Sequence, residues 1–365
     1  MDSKKYNNIK LGVSIVSGVL TFILIMLFVS LGYSQLLVEF ISSSMSNNYL
    51  ILLTFTIVVS SVLSITFFPL NYYSSFYIEH KYELSNQSFI AWVLESLKGT
   101  LVGSIVGLPV LFAFYYILNQ YASLWWLPFA ILMFLFSVVL AKLVPIVILP
   151  LFYKITPIEN VDLKGRILQL SKNVNMNVEN IFQFNMSKDT KKANAAFTGL
   201  GKTKKILLGD TLLNEFTNDE IETVIAHELG HYKHKHIIKN LIVGTLSSFV
   251  TLFLLAKLYN ISISWFGFQN INEIAALPIL ILWGMILGIL QTPLTNILSR
   301  KYEYEADEYA VKSTGKASVF INTLDKLTEQ NLGDREPHPF VEWFFHSHPS
   351  VKRRIAFIQS LGLIK

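Results

Sequence analysis

The chain has 365 residues, of which 52% are hydrophobic and only 15% are Asp, Glu, Lys or Arg. Soluble globular proteins usually carry about 25% charged residues, so the composition indicates a membrane protein. The formal net charge of +5 comes without a basic tract interleaved with aromatic residues, which argues against nucleic-acid binding. The absence of cysteine excludes disulfides and thiolate metal sites.

Apolar stretches predict six transmembrane helices. Each stretch reaches the roughly 18–20 residues that a helix needs to cross a bilayer. The first is too long for the core of a signal peptide and no small-residue cleavage site follows it, so we expect it to be retained. The predicted spans cover residues 11–33, 49–70, 99–118, 124–148, 238–259 and 275–298.

The distribution of Lys and Arg predicts the orientation of these spans. Lysines precede the first span, which places the N-terminus in the cytoplasm. The three loops that then lie outside contain no Lys or Arg, whereas the cytoplasmic segments are rich in both. The outer loops are 34–48, 119–123 and 260–274, and the inner segments are 71–98, 149–237 and 299–365.

The polar residues divide the chain into four parts. Only a hairpin of two spans separates the two large polar segments, so we expect them to form one cytoplasmic domain. The parts are 1–150 (spans one to four, with the loop 71–98), 151–237 (the first polar segment), 238–298 (spans five and six) and 299–365 (the second polar segment).

The first polar segment predicts a helix followed by a β-hairpin. The stretch "GRILQLSKNVNM" has apolar residues at helical spacing. In "ANAAFTGLGKTKKILLGD", two apolar segments are joined around Gly199 and Gly201, which is typical of a hairpin.

A second helix should begin near Asn218. Thr217 followed three residues later by Glu220 is the pattern of a capping box. The helix then carries Ile221, Val224 and Ile225 on its buried side and continues into the stretch "AHELGHYKHKH".

This helix predicts a metal site. His227 and His231 are four residues apart, so both imidazoles lie on one face of the helix and can share an ion about 2.0–2.1 Å from each nitrogen. Glu228 would lie beside a water bound to that ion and could take its proton. The pattern H-E-x-x-H carries this chemistry; the alternative is a chance match in a charged amphipathic helix.

The other nearby histidines do not complete the site. On a continuous helix His234 would stand about 10 Å farther along the axis than His227, and His236 would point the other way. We therefore expect both at the membrane interface or as outer partners of the site, at the mouth of the next span. A catalytic zinc normally takes three protein ligands. The segment after the last span offers carboxylates, and Glu303 and Asp307 share a helical face, so that one could ligate and the other could hydrogen-bond a ligand histidine. The other carboxylates there are Glu305 and Glu308, and a solvated acidic helix start is the alternative.

The motifs resemble those of the CAAX prenyl protease 1 family, integral-membrane zinc proteases related to HtpX. The resemblance begins with "HELGH", two spans and then "YEYEAD". It extends to four further stretches: "IEHKYELSNQS" (78–88), "PLFYKITPI" (150–158), "NAAFTG" (194–199) and "FFHSHPSVKRR" (344–354). Eukaryotic members have seven spans and longer loops where six spans fit here, so one N-terminal span is expected to be missing. The many Lys, Asn and Ile residues and the short loops suggest a bacterial homologue.

The resemblance implies a fold and a set of site residues. The fold is a mostly α-helical polytopic membrane protein, with about six transmembrane helices enclosing a chamber and a small α+β zincin-like domain on the cytoplasmic side. Gln291, Thr292 and Asn296 at the inner end of the sixth span are compatible with such a chamber. The implied site residues are His227, His231 and Glu303 as ligands of one zinc ion per chain, Glu228 as general base, Asp307 and His348 as further catalytic residues, and Asn194, Ala195 and Arg354 as substrate-binding residues.

The resemblance also implies a zinc metalloendopeptidase that processes C-terminal, prenylated CAAX-type peptides. The substrate would be a peptide or protein, with or without a lipid, and the enzyme a monomer in the bilayer with no nucleic-acid partner. Its place would be the bacterial inner membrane with the active site facing the cytoplasm, or the endoplasmic reticulum membrane in a eukaryote. Two alternatives remain: a quality-control protease of broad specificity and a non-catalytic, zinc-stabilised membrane scaffold, which would not need Glu228.

Overall fold

The computed structural model describes residues 2–174, 181–198 and 205–363. The N-terminal part is helical throughout. Its helices are α1 (Ser3–Ser30), α2 (Tyr33–Ser42), α3 (Asn48–Asn71), α4 (Ile78–Lys81), α5 (Phe89–Tyr121), α6 (Trp126–Leu143) and α7 (Leu149–Phe152).

A small mixed region follows. It holds four strands and three helices, namely β1 (Ile155–Pro157), α8 (Val161–Lys172), β2 (Ile181–Phe184), β3 (Ala195–Thr198), β4 (Lys205–Gly209), α9 (Asp210–Glu215) and α10 (Asn218–Lys233). The C-terminal part is helical again, with α11 (His236–Ser262), α12 (Pro278–Thr314), α13 (Ala317–Gln330), α14 (Pro339–Phe345) and α15 (Val351–Ser360).

Within the described residues, six helices are long and apolar enough to cross a membrane: α1, α3, α5, α6, α11 and α12. Each coincides with one of the six predicted spans, so that prediction is confirmed. Helix α12 continues without a break for 37 residues, so the last span and the acidic segment after it form one helix.

The segment 34–48, predicted as an outer loop, contains helix α2. Helix α1 ends at Ser30, and Gly32 adopts φ +75°, a left-handed conformation that glycine reaches without strain. The chain turns there, and α2 packs beside α1 and α3 with Ile41 buried against Ile51 and Leu52. The turn depends on one glycine inside an apolar run, which hydropathy alone does not distinguish from a continuing span.

The four strands form one sheet in the order β1-β2-β4-β3. Strands β2 and β4 are parallel, and the other two pairs are antiparallel. The predicted hairpin is confirmed as β3 and β4, whereas Gly199 and Gly201 lie outside the described residues. Strand β3 is at the edge of the sheet, beside α10.

Both polar segments contribute to one hydrophobic core, which lies beneath the sheet and α10. Residues of the first segment, such as Leu163, Leu208 and Ile225, are fully buried there with Val311 and Phe320 of the second. We call this set of elements (β1–β4, α8–α10 and α13–α15) the polar layer. It packs on the part of α12 that extends beyond the span, so α12 belongs to both the membrane bundle and the core.

The membrane helices enclose a cavity of about 530 Å³ with a largely apolar lining, including Phe28, Phe55 and Phe129. The polar residues expected to line such a chamber are placed differently. Gln291 hydrogen-bonds Ser247 on α11, and Asn296 donates to the Phe344 carbonyl (2.7 Å). Those side chains join helices together and do not line this cavity.

Candidate metal centre

Helix α10 begins as the sequence predicts. The Thr217 backbone N–H donates to Glu220 Oε2 (2.8 Å), and the Glu220 N–H donates to Thr217 Oγ1 (3.3 Å), which completes the capping box. Ile221 and Ile225 are buried in the core. The buried face fixes the rotation of the helix and turns His227 and His231 toward α12.

A glycine allows α12 to approach α10. A Cβ atom at Gly230 would lie 2.9 Å from Ala306 Cα and 3.0 Å from the Ala306 carbonyl oxygen. Cβ atoms are very rarely found so close to another heavy atom. The sequence prediction did not include Gly230. A signal was present, because glycine inside a helix costs about 1 kcal/mol relative to alanine and usually has a packing reason.

Three ligand atoms converge between the two helices. His227 Nε2 lies 3.2 Å from His231 Nε2 and 3.4 Å from Glu303 Oε2, and His231 Nε2 lies 3.3 Å from Glu303 Oε1. Ligands at about 2.0–2.1 Å from a tetrahedral ion are separated by about 3.4 Å. Among the described residues this is the group whose spacing suits a metal ion.

The chemistry of the donor set also fits a cation. His227 Nδ1 lies 2.8 Å from Asp307 Oδ1, and His231 Nδ1 lies 2.9 Å from His236 Nδ1. With each Nδ1 carrying the proton of its outward hydrogen bond, both Nε2 lone pairs point at the same place. The buried Glu303 carboxylate faces the same place, 3.4 Å from His227 Nε2 and 3.3 Å from His231 Nε2. Two lone pairs and a carboxylate so close together are stable only around a positive charge.

Asp307 and Arg354 lie behind His227. Asp307 is fully buried, and it accepts from Arg354 Nε (2.8 Å) and Nη2 (2.5 Å). Burial alone would lower the pKa of Arg354, but Asp307 raises it above its usual range. Burial likewise lowers the pKa of His227, but its hydrogen bonds to Asp307 and Glu303 outweigh burial and raise the pKa to about 9. A metal ion binding here must therefore displace a proton from His227.

His236 and Glu305 lie behind His231. His236 is an outer partner of His231, as expected, but it does not point away from the site as it would on a continuous helix, because α10 ends at Lys233 and Lys235 adopts φ +57°. The chain turns back there, and the His236 ring is buried with Nε2 2.9 Å from Glu305 Oε2. This pair fixes the His231 ring through a hydrogen bond, as such outer partners do for metal-binding histidines.

The centre opens on a cavity of about 590 Å³. Glu228 and His348 line it at the ligand side, together with Asn194 and Ala195 on the edge strand. His348 is largely exposed, and its Nδ1 lies 2.9 Å from Glu303 Oε2. The nine site residues named in the sequence analysis, the three proposed ligands and six others, therefore lie in or next to this centre.

The edge strand is fixed at its start by contacts that the sequence did not reveal. Asn331 Oδ1 accepts from the Ala193 N–H (2.8 Å), and Asn331 Nδ2 donates to the Ala193 carbonyl (3.1 Å). The Asn194 carbonyl accepts from Gly209 N–H (2.9 Å). Strand β3 pairs with β4 along its inner side, so its outer side faces α10 and the cavity.

The loop that carries His348 is anchored to α12. Arg300 Nη1 donates to the carbonyl oxygens of Glu342 (3.0 Å), Trp343 (3.2 Å) and His346 (2.6 Å). The buried Glu342 carboxylate accepts from the Ser350 N–H (3.1 Å) across the loop. Helix α12 therefore carries both Glu303 and Arg300, the residue that anchors the His348 loop.

Two family models together match almost the whole chain. Peptidase family M48 matches residues 157–361, and the CAAX prenyl protease N-terminal family, described as having five membrane helices, matches residues 1–154. The described residues of 1–154 carry four candidate spans, in keeping with one span fewer than the family pattern.

Individual relatives agree with these matches. CAAX prenyl protease 1 of Saccharomyces cerevisiae is 31% identical over 323 residues, which cover 83% of this chain and 71% of the yeast protein. The metalloprotease YhfN of Bacillus subtilis is 28% identical over 357 residues, 97% of this chain and 84% of that protein. The crystal structure of S. mikatae Ste24p superposes with a TM-score of 0.86 at 27% identity, covering 98% of this chain and 88% of that one.

Proposed function

The chain belongs to peptidase family M48 and is an integral-membrane metalloprotease of the CAAX prenyl protease 1 type; on that premise we propose that it uses zinc held by His227, His231 and Glu303. The observation that carries this proposal is the spacing of 3.2–3.4 Å among their ligand atoms. Zinc bound there supplies a Lewis acid that polarises a carbonyl and lowers the pKa of a bound water toward about 7.

Glu228 is the general base. Its carboxylate borders the cavity beside His227, where it accepts the proton of the attacking water and returns it to the leaving amine. His348, which also lines the cavity, donates a hydrogen bond to the oxyanion that forms on the peptide carbonyl. Arg354 commits Nε and Nη2 to Asp307, so a contact with substrate would use Nη1.

The peptide lies extended along the outer side of β3. An exposed strand edge binds a peptide through backbone hydrogen bonds, and Asn194 and Ala195 stand where β3 borders the cavity. Replacing Ala195 with proline removes one N–H and fixes φ. We expect Ala195→Pro to raise KM at unchanged zinc content; cleavage at the wild-type KM would exclude β3 as the peptide-binding strand.

The substrate proposed is a C-terminal CAAX-type peptide that carries a prenyl group, because the yeast relative is a CAAX prenyl protease 1. The test incubates the purified enzyme with a farnesylated CAAX peptide, its unprenylated twin and an unfolded membrane protein. Faster cleavage of the farnesylated peptide than of the other two substrates supports the proposal. Cleavage of the unfolded protein with both peptides intact would favour the broad quality-control function.

Glu228→Gln is the matched control for each substrate. The amide cannot accept a proton, so turnover should fall by about 10²–10⁴-fold while zinc remains bound. Bound zinc at one per chain with near wild-type turnover in this variant would remove Glu228 from the mechanism. Zinc retained without any turnover in the wild-type protein would favour the scaffold alternative.

The active site faces the cytoplasm in this proposal, which rests on the Lys-rich inner segments and the Lys-free outer loops. The cysteine-free chain allows single-cysteine labelling in intact cells. Cysteines replacing the exposed residues Met45, Tyr121 or Trp265 should react with an impermeant reagent, whereas one replacing the exposed Lys164 should not. Labelling at 164 would place the metal centre outside.

A further inference from the structure

Helix α14 presents an aromatic face that the core does not cover. Phe340 is 56% exposed and Trp343 is 45% exposed, while the Glu342 side chain between them points inward and is buried. The two rings are in contact with each other, with centroids 5.8 Å apart. Large aromatic side chains on the outside of a short helix indicate a surface that meets something other than water.

The position of this face follows from α12. Leu294 is 68% exposed, and Ile297 on the same side of the helix is also exposed, which is the pattern of a lipid-facing surface. Lys301 follows one turn later, about 6 Å farther along the axis, with its side chain 71% exposed. The apolar surface of the span therefore ends between Ile297 and Lys301.

Helix α14 is hydrogen-bonded to α12 at that same level. Asn296 donates to the Phe344 carbonyl (2.7 Å), and Arg300 donates to the Trp343 carbonyl (3.2 Å). The two donors lie next to Ile297 and Lys301 in the chain. The aromatic face therefore lies at the height where the lipid-facing surface of the last span ends.

We propose that α14 is an interfacial helix, whose Phe340 and Trp343 insert into the headgroup region of the leaflet nearest the metal centre. Tryptophan and other aromatic residues with one apolar and one polar side favour this region. Arg353 Nε lies 3.4 Å from Glu342 Oε2 of α14, and Lys301 follows Arg300, which is hydrogen-bonded to α14. Both side chains are exposed and can pair with the phosphate groups of that region. The occupant of the aromatic face is lipid.

This contact would matter for the loop that follows. Helix α14 ends at Phe345, and His348 comes three residues later. Membrane insertion and the hydrogen bonds of Arg300 then hold the start of this loop from two sides. The rim of the cavity would lie at the membrane surface, where a lipid-attached peptide arrives.

Spin labelling tests the proposal, because single cysteines can be introduced into a chain that has none. Trp343→Cys and Phe340→Cys carry a nitroxide in the full-length protein, reconstituted in vesicles of phosphatidylcholine and phosphatidylglycerol. Leu294→Cys is the lipid-facing reference, and Lys164→Cys, on the exposed side of α8, is the aqueous reference. Collision with oxygen reports lipid, and collision with a water-soluble nickel chelate reports water.

We expect the labels at 343 and 340 to collide with oxygen and to lose most of the nickel collisions that the label at 164 shows. Nickel accessibility at 343 and 340 equal to that at 164 would overturn the proposal. Protection from both reagents would overturn it as well, because it would mean that protein covers the face. One zinc per chain in each labelled variant confirms that the labels have not disturbed the fold.

Discussion

The two histidines of the metal centre lie one turn apart on α10, but they are held in different ways. Behind His227 stands a buried carboxylate paired with a guanidinium, Asp307 with Arg354. Behind His231 stands a second imidazole, His236, and only then a carboxylate, Glu305, which is half-buried.

The difference shows two ways to orient a metal-binding ring. A charged partner holds His227 and raises its basicity, at the cost of burying an ion pair that must stay intact. The neutral imidazole of His236 holds the His231 ring by a hydrogen bond without a charge. Glu305, the carboxylate that contacts His236, lies near solvent. The partners behind His227 are Asp307 of α12 and Arg354 of the polar layer. The partner behind His231 is His236, the first residue of the membrane helix α11. We therefore expect damage behind His227 to affect folding and metal binding, and damage behind His231 to affect metal binding alone.

The largest effect should come from Asp307→Ala. It leaves Arg354 buried without a partner, so the free energy of unfolding should fall by about 3–5 kcal/mol. Loss of the outer hydrogen bond of His227 should lower zinc affinity by about 10–100-fold. Thermal unfolding and chelator competition measure the two effects. Asp307→Asn is the control, since its amide oxygen still accepts from His227; equal zinc loss in both variants would mean that charge, not orientation, matters.

Gly230→Ala should affect both histidines together. The added methyl group meets the α12 backbone at Ala306, so α12 must move and carry Glu303 away from both Nε2 atoms. Overpacking of this kind costs about 1–3 kcal/mol. The matched control is Gly244→Ala in α11, where a Cβ atom has open space. Unchanged zinc affinity in Gly230→Ala would show that the helix contact does not set the ligand spacing.

His236→Leu should weaken zinc binding by about tenfold with a smaller change in stability. The substitution removes the acceptor of His231 Nδ1 and frees Glu305. His236→Gln should restore most of the affinity, because its amide can accept from His231 and donate to Glu305. The visible spectrum of the cobalt-substituted protein, titrated with metal, follows the ligand field directly. If leucine and glutamine behave alike, His236 has only a packing role.

The smallest effect should follow Lys239→Ala. Its Nζ lies 3.7 Å from Glu305 Oε2, and both side chains reach solvent. Pairs of this kind contribute at most about 1 kcal/mol, so zinc affinity should stay within about twofold of wild type. A loss as large as that of His236→Leu would show that charge supports both histidines, and the contrast between them would disappear.

Local signals accounted for much of the fold. Span positions follow from the length of apolar runs, the start of α10 from Thr217 and Glu220, and the β3–β4 hairpin from alternating segments around glycines. These features depend on neighbouring residues, which a sequence shows directly. The site residues His227, Glu228 and His231 came from spacing on one helix for the same reason.

What sequence reasoning missed depends on contacts between distant segments. The turn at Lys235 that returns His236 to the centre requires a left-handed residue without glycine, and no local pattern predicts it. Residue spacing left Glu303 and Asp307 open as the third ligand, and only the resemblance assigned Glu303, because its position depends on how closely Gly230 lets α12 approach. The support of the His348 loop by Arg300 depends on the packing of α14 on α12. Each is decided by the assembled core.

The continuity of α12 has a mechanical consequence. Pro293 lacks the N–H that would bond the preceding turn, so any hinge in this helix would form there. Glu303 is ten residues farther on, about 15 Å away, and a rotation of about 5° at the hinge would therefore move it by more than 1 Å. Metal ligands tolerate errors of only about 0.2 Å. When the bilayer thickens or thins, the spans adjust by tilting; in α12 that tilt must be absorbed on the outer side of Pro293, with the inner half moving as one body with the metal centre.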